Sequence, residues 1–566
     1  MVTFSLENVG TNKFSFAIFI FGIIIFTIGL NPEFMGLQSR FALFAQEMLR
    51  YGPTWFPTIY RTPYPDYPAT STYLIYLLSL PFKKVTVLSA TLPTAVVSAL
   101  ILVVIYRIGA LQSPKLGICA VLLALFTHEF LKESRSVELD QYTSLVTVLC
   151  FYIAYSANIL GRYKRLWLIP LLFIVGFSFR GPIGLVIPAA VTFGFYLWEK
   201  QYKKCFVFGL VALSLFGFCL VLLLAAAYQQ GQGDLVDKVL QAQGVSRTGY
   251  YTNNHFYYVA KAFTSYDISF PLAVIVSVAS CKKIFKRETP DARLLGHLVF
   301  WVVIILVGMS IPGAKKTRYI LPVVPALSLI ASYMFVHPSL EGFMSEARKA
   351  FLWSCRMLPF ITGIGALVLC LPTSYFTLIS VFPGLVVMGI LIALIVVYPR
   401  WNQKFRRYSK NDLVNILTAV LSFIAFNVWF INPLVYSHEH TKPFIEKLES
   451  LLPSSSVTIA FYQIGPDAED IKLVANMNKP IAPIFIKNAE DLIQQPLQTY
   501  FIAKEGDFSN LPDNVAQKMQ VQFRGQIGHK DCLVFSQRLD SSEPDSSSIS
   551  TATYLQENER MSIVGT

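Results

Sequence analysis

The chain has 566 residues, of which 54% are hydrophobic and only 14% charged, and its mean hydropathy is +0.51. That is far more apolar surface than one soluble core requires, so the composition excludes an ordinary soluble protein in favour of a polytopic membrane protein. The formal charge of +13 does not indicate a nucleic-acid partner, because the basic residues cluster in short loops between apolar runs, as the positive-inside rule expects.

The first apolar run, FSFAIFIFGIIIFTIGL, has no small-residue cleavage site after it and reads as a retained span rather than a signal peptide. A long outer segment, 31–84, follows. Within it, LQSRFALFAQEMLRYG places Leu37, Phe41, Phe44, Ala45 and Met48 on one helical stripe, with Gln38, Ser39, Gln46, Glu47 and Arg50 on the other side. This stretch is too short and polar to cross a bilayer and reads as an interfacial helix. Thirteen candidate spans centre near 14–30, 86–107, 116–130, 142–160, 166–179, 183–198, 206–227, 268–281, 294–311, 319–336, 351–371, 375–398 and 411–432. Thirteen spans put the basic clusters GRYKR, KQYKK, KKIFKR and RWNQKFRRYSK on one side, which is then cytoplasmic, with the N-terminus inside and the C-terminal region outside. Lys83 and Lys84 land outside as a local exception.

Two further outer segments stand out, 228–267 and the charged loop PGAKKTRY at 312–319. In the polar region 433–538, SVTIAFYQ and QTYFIAK read as strands and TKPFIEKLESLL as a helix. The expected fold class is an all-α polytopic membrane protein of about 13 transmembrane helices, with interfacial helices in the first outer loop and a small C-terminal extracytoplasmic α/β domain. The expected domains are 1–432 for the membrane part, 433–538 for the α/β part, and 539–566 as a tail disordered by composition. The eight cysteines are scattered and show neither a disulfide framework nor a zinc spacing.

Acids at the outer face are the first chemical candidates. Asp66 sits in the proline-punctuated turn TPYPDYPATSTY, and Asp140 in KESRSVELDQYTSL, where the third span meets the fourth. A carboxylate there can act as a base, bind a metal or orient a hydroxyl; the alternative for Asp140 is a helix cap. Arg180, in SFRGPIGLVIP, is an interfacial cation or part of a plain turn. Lys315, Lys316 and Arg318 place three cations in four residues on the side where they should be scarce. Such a cluster suits a phosphate or pyrophosphate, with Tyr319 able to add a hydroxyl donor; snorkelling to anionic headgroups is the alternative. His255 stands among tyrosines in the second long outer loop, and nothing in its local spacing completes a metal site.

Taken in order, these segments resemble the GT-C type of polyprenyl-phosphate-sugar-dependent glycosyltransferases, in particular the lipid A aminoarabinose transferase and protein O-mannosyltransferase group. SRFALFAQEMLRYGPTWFP keeps Arg40, Ala42, Glu47, Met48, Leu49, Gly52, Trp55 and Pro57 of the family's first pattern, and YPDYP supplies Asp66 where the family has Glu. Arg135 and Asp140 match the segment opening the fourth span. Arg180, Gly181 and Pro182 stand for Lys-Gly-Pro, and Lys316, Tyr319 and Pro322 match a Lys-x-x-Tyr element. The resemblance covers about residues 30–335 and rests on the order of the motifs. It departs at the front, where the family's acidic pair falls on Leu37 and Gln38, and at Tyr67, where the family has Lys. Glu33, four residues before Leu37, is the acid nearest that gap.

The resemblance implies a transferase of a bacterial inner membrane that takes a sugar from a polyprenyl-phosphate donor at the periplasmic face and gives it to a lipid A, glycan or protein acceptor. It implies Asp66, Asp140 and Glu33 as catalytic acids, and Arg40, Tyr67, Arg135, Arg180, Lys315, Lys316, Arg318 and Tyr319 as substrate-binding residues. If a divalent metal takes part, Asp66 and His255 are its candidate ligands. The rival expectation is a non-catalytic protein on the same fold that binds or flips a lipid-linked sugar. The missing acids at Leu37 and Gln38 favour it, and the retained Asp66, Asp140 and cation cluster oppose it.

Overall fold

The computed structural model describes residues 3–245, 254–287, 289–336, 342–370, 378–401, 408–437, 441–452, 458–466, 469–479 and 481–538. The chain divides into two units, Met1–Glu439 and His440–Thr566. The tail expected at 539–566 and most of the RWNQKFRRYSK cluster lie outside the described residues.

In the first unit, each of the thirteen apolar segments falls on a helix. Helices α1 (Thr3–Thr27), α2 (Leu37–Tyr51), α3 (Thr70–Ser79) and α4 (Val87–Ala110) come first. Then follow α5 (Pro114–Leu125), α6 (His128–Ser134), α7 (Asp140–Leu160), α8 (Leu168–Arg180), α9 (Pro182–Trp198) and α10 (Tyr202–Leu240). Next are α11 (Tyr257–Ser265), α12 (Ser269–Ala279), α13 (Cys281–Lys286), α14 (Pro290–Ser310) and α15 (Val324–Val336). Helices α16 (Phe343–Cys370), α17 (Leu378–Trp401), α18 (Tyr408–Phe426) and α19 (Asn432–Ser437) complete the unit. Among the described residues, seven helical stretches are long and apolar enough to cross a membrane, or nine if the pairs α5–α6 (bent by 75°) and α11–α12 (bent by 112°) each count as one span.

Local signals account for several boundaries. Thr86 and Ser89 form a reciprocal capping box at the start of α4. Ser113 and Thr289 cap α5 and α14, each followed by a proline whose missing N–H is harmless at that position. Helices α8 and α9 form a tight hairpin. Gly181 turns it with φ +65°, and Gly176 and Gly184 approach so closely that a Cβ on either would lie 2.0–2.1 Å from the other's carbonyl oxygen. Helix α10 breaks at Gly231 and Gln232, which have non-helical backbone angles.

The first outer segment is built on α2. Phe41, Phe44, Ala45 and Met48 are buried, as the stripe predicts, but so are Ser39 and Glu47 from the polar side. Ser39 donates to the Phe34 carbonyl at 3.0 Å, and Glu47 meets a small hairpin of β1 (Thr58–Ile59) and β2 (Thr62–Pro63). Glu47 Oε2 accepts from the Thr58 hydroxyl at 2.8 Å and from the Arg61 backbone N–H at 2.9 Å. Gln230, just before the break in α10, exchanges two hydrogen bonds with the Phe56 backbone, at 2.7 and 3.0 Å. The two long outer segments are thereby tied together.

The second unit is an α/β domain. Its strands are β3 (Ile459–Tyr462), β4 (Ile484–Ile486), β5 (Tyr500–Lys504), β6 (Met519–Ile527) and β7 (Lys530–Gln537), in the order β4-β3-β5-β7-β6. β3 runs parallel to β4 and β5, and β7 is antiparallel to β5 and β6. The strands expected in SVTIAFYQ and QTYFIAK are β3 and β5, and the expected helix is α20 (Thr441–Leu451). Cys532 is buried, and burial pushes its thiol up to about 12, so it is an inert packing residue.

Candidate functional site

Helix α7 begins at Asp140 with Leu139 as its N-cap and no side-chain capping bond. The Asp140 carboxylate is used elsewhere, which decides against the capping alternative. It accepts from Arg180 Nε at 2.9 Å and from Arg180 Nη2 at 3.4 Å, with both side chains 3% exposed, and lies 3.5 Å from Arg318 Nε. The Arg180 guanidinium is sandwiched by aromatic faces, 5.2 Å from the Tyr67 ring centroid and 5.5 Å from that of Tyr319. Residues from the first outer segment, the α8–α9 turn and the 312–319 loop thus meet at the start of α7. A buried arginine needs such surroundings, because its charge is tolerated out of water only when paired.

Glu138 shares this cluster and escaped the sequence reading. Its Oε2 lies 3.3 Å from Arg318 Nη1, and its Oε1 receives only a long contact, 3.4 Å, from the Asp140 backbone N–H. Burial, with the Asp140 carboxylate next in weight, holds the Glu138 carboxyl well above the usual carboxylate range, although Arg318 opposes the shift. The signal was present in VELD, which puts a second acid two residues before Asp140; at the start of α7 both reach Arg318.

Asp66 is half-buried, and its Oδ2 accepts from the Tyr64 hydroxyl at 3.0 Å. Tyr64 in turn accepts from Arg40 Nη1 at 2.9 Å. The Asp66 carbonyl accepts from Gln243 Nε2 at 2.7 Å, a contact that only the fold reveals. Lys316 is exposed at the rim. Desolvation, followed by the charges of Arg318, Arg180 and Arg40, lowers its ammonium below the ordinary lysine value. An anion placed among these four cations would relieve that repulsion.

Other candidates are placed differently. The Arg135 guanidinium is engaged at the carbonyl end of α1, donating to Ile25 O and Ile28 O at 2.6 Å and to Gly29 O at 3.0 Å. It thereby caps a helix whose last carbonyls have no intrahelical donor, and it also lines the 650 Å³ cavity. Lys315 reaches the Asn254 carbonyl at 2.8 Å. Glu33 is 5% exposed and is not part of the cavity wall described next. His255 is exposed, and among the described residues no group of three or more His, Cys, Asp or Glu side chains could hold a metal ion.

Two spaces adjoin the cluster. A cavity of about 650 Å³ is walled on one side by Leu37 and Gln38 and on the other by Glu133, Glu138 and Arg318. On the helical surface, α9, α10 and α14 enclose apolar hollows of about 590 and 210 Å³ that share Val186, Ala190 and Ile304. Together they form a groove running from Leu197 to Pro182 and Pro312, two residues from Arg180 and three from Lys315.

Such a bundle, with an ion-paired site over α7 and an apolar groove beside it, shares its fold with solved structures of ArnT. Residues 66–227 match the protein-family model described as dolichyl-phosphate-mannose-protein mannosyltransferase, a span holding Asp66, Tyr67, Asp140 and Arg180. Two solved structures of ArnT from Cupriavidus metallidurans share the fold over 93% of this chain. The apo form matches with a TM-score of 0.67 over 98% of its own length, and the form bound to undecaprenyl phosphate with 0.65 over 97%, each at 12% identity. No curated protein sequence matches the chain.

Proposed function

We propose that the protein is an integral membrane glycosyltransferase that moves a sugar from a polyprenyl-phosphate donor to a lipid A, glycan or protein acceptor at the periplasmic face of a bacterial inner membrane. The observation that carries this reading is the junction of the cation cluster with the apolar groove. A polyprenyl phosphate has the matching form, an anionic head on a long hydrocarbon chain. Its chain lies along α9 between α10 and α14, and its phosphate sits at Lys316, Arg318 and Arg40. The undecaprenyl phosphate carried by one ArnT structure supports this choice of ligand.

In the reaction, negative charge grows on the departing lipid phosphate as its bond to the sugar breaks. Fixed cations in a partly dry site stabilise that charge more than they stabilise the bound donor, which lowers the barrier. Arg180 and Asp140 are positioning residues: each holds the other, and Asp140 also steadies Arg318. Asp66, braced by Tyr64, orients hydroxyls of the sugar or the acceptor.

The reading includes thirteen crossings, a cytoplasmic N-terminus and a periplasmic α/β domain. Cys281 is exposed beside the basic cluster KKIFKR. In a variant keeping Cys281 as its only cysteine, a membrane-impermeant maleimide should label permeabilised but not intact spheroplasts; labelling of intact ones reverses the topology. The activity is tested with purified protein, radiolabelled polyprenyl-phosphate mannose, glucose and aminoarabinose, and envelope from a deletion strain as acceptor. Transfer of one sugar supports the reading. Donor binding without transfer or hydrolysis favours the non-catalytic rival, and failure to bind any of the three overturns both.

A further inference from the structure

We infer that Glu138 is the proton acceptor of the transfer, and that the acceptor it serves is a hydroxyl rather than a phosphate. The inference rests on the transferase reading and adds a catalytic residue and an acceptor class to it. The other carboxylates near the site are occupied. Asp140 is held by two arginines, Asp66 accepts from Tyr64, and Glu133 accepts from Lys132 Nζ at 2.9 Å. Glu138 has one arginine at 3.3 Å and one long backbone contact, yet it is 3% exposed and forms part of the wall of the 650 Å³ cavity. A carboxylate so poorly satisfied gains more from taking a proton than its neighbours do. The charged groups that face it are Asp140, Glu133, Arg318 and Arg180. Burial and the two acids favour its protonated form, and the two arginines oppose them.

The choice of base also bears on the acceptor. The cavity wall carries Lys132, Arg135 and Arg318 beside Glu133 and Glu138, so its charge alone would admit an anion. A dianionic phosphate acceptor, however, has no proton to give Glu138, whereas a hydroxyl does. In the step, the acceptor oxygen bonds to the anomeric carbon while the carbon–oxygen bond to the lipid phosphate breaks. The bond's electron pair leaves with the phosphate toward Lys316 and Arg318, and the acceptor's proton passes to Glu138. Nothing is oxidised or reduced. Arg318 lies between the two events, touching Glu138 on one side and belonging to the phosphate cluster on the other, so gain of a proton by Glu138 frees Arg318 for the leaving anion.

The test compares wild type, Glu138→Gln and Glu138→Asp with the sugar donor that wild type uses, reading transfer to envelope acceptors and sugar release to water. Glu138→Gln should lower kcat by about a hundredfold or more, leave donor KM within about twofold, and remove the limb of the pH profile that rises as Glu138 ionises. Glu138→Asp should restore part of the rate. A Glu138→Gln kcat within about fivefold of wild type overturns the inference. So does a loss confined to donor KM, since that would mean Glu138 only steadies Arg318. Infrared titration reads the carboxyl directly: a protonated carboxyl band should persist above the ordinary carboxylate range in wild type and vanish in Glu138→Gln. If wild type transfers nothing, the transferase reading fails by itself, and the band then decides Glu138. Its presence keeps the residue as the proton-holding group of the cavity, and its absence overturns that too.

Discussion

Helices α7, α9 and α14 each have one end at the candidate site and the other in a second polar pocket, and the two ends use charge differently. Asp140 and Tyr155 mark the two levels on α7, about 22 Å apart at the ordinary helical rise. At the far end, Tyr155, Glu199, Arg287, Arg293 and His297 surround a pocket of about 340 Å³. There His297 Nε2 meets Glu199 Oε1 at 2.8 Å, its ring stacks on Phe195 with centroids 4.3 Å apart, and Arg287 donates to the Trp198 carbonyl while lying 4.7 Å over the Trp198 ring. Acid, base and aromatic faces meet there, and the apolar groove starts close by, at Leu197. At the groove's other end Lys316 is held among the charges of Arg318, Arg180 and Arg40. Both ends carry buried ion pairs and adjoin the groove, so neither feature alone marks a site. A cluster of mutually repelling cations does.

The largest expected effect breaks the comparison at its most buried pair. Arg180→Ala leaves the buried Asp140 carboxylate only the 3.5 Å contact with Arg318, and losing one partner of a buried pair costs about 3–5 kcal/mol. Glu199→Gln at the far end keeps a hydrogen-bonding group against His297 at a carboxylate that is 18% exposed, so about 1 kcal/mol is expected. Denaturant titration of the two proteins in detergent measures both, and equal losses would erase the distinction between the ends.

Next, Lys316→Ala and Arg318→Ala should each weaken undecaprenyl phosphate binding by roughly ten- to a hundredfold, the worth of one charge-assisted contact. Arg293→Ala should leave it unchanged. Isothermal titration at fixed anionic lipid separates a specific phosphate site from headgroup anchoring.

Lys316 also predicts a pH dependence. Its ammonium is held below the ordinary lysine value, so it loses its proton earlier than a free lysine as pH rises. Donor binding should therefore weaken with rising pH through that lowered value, and Lys316→Arg should flatten the profile because guanidinium keeps its proton. An unchanged profile in Lys316→Arg would remove Lys316 from the phosphate site.

The smallest effect sharpens the groove. A Cβ added at Gly308 meets nothing within 4 Å, so a larger side chain there should enter the groove without disturbing the helix. Gly308→Leu should weaken long-chain polyprenyl phosphates by only a few-fold and short-chain analogues less, because bilayer lipid is about as apolar as the groove it replaces. Equal effects on both chain lengths would move the lipid chain elsewhere.

Much of the membrane unit was legible in the sequence because apolar runs and basic loops are local, additive signals. The thirteen segments, the α2 stripe and, in the second unit, the strands β3 and β5 all follow from residues close in the chain. The motif order also pointed to Asp66, Arg180 and Lys316 without distances. What it did not show were partners that lie far along the chain. Nothing in the sequence tied Arg135 to the end of α1, over a hundred residues earlier, whose carbonyls it meets. Asp140 reads equally well as a cap, and only the packing of α8 beside α7 supplies Arg180.

By itself, then, the sequence determined a polytopic helical protein with a small α/β domain, its amphipathic helix α2 and the cation cluster, because periodicity, hydropathy and charge bias are written within single turns and runs. Tertiary structure alone decided which carboxylate each arginine holds, that Glu138 rather than Glu33 forms part of the cavity wall, and that the groove of α9, α10 and α14 ends beside Arg180 and Lys315. A buried charge must find its partner in space, and folding brings together residues whose separation in the chain carries no trace of the pairing.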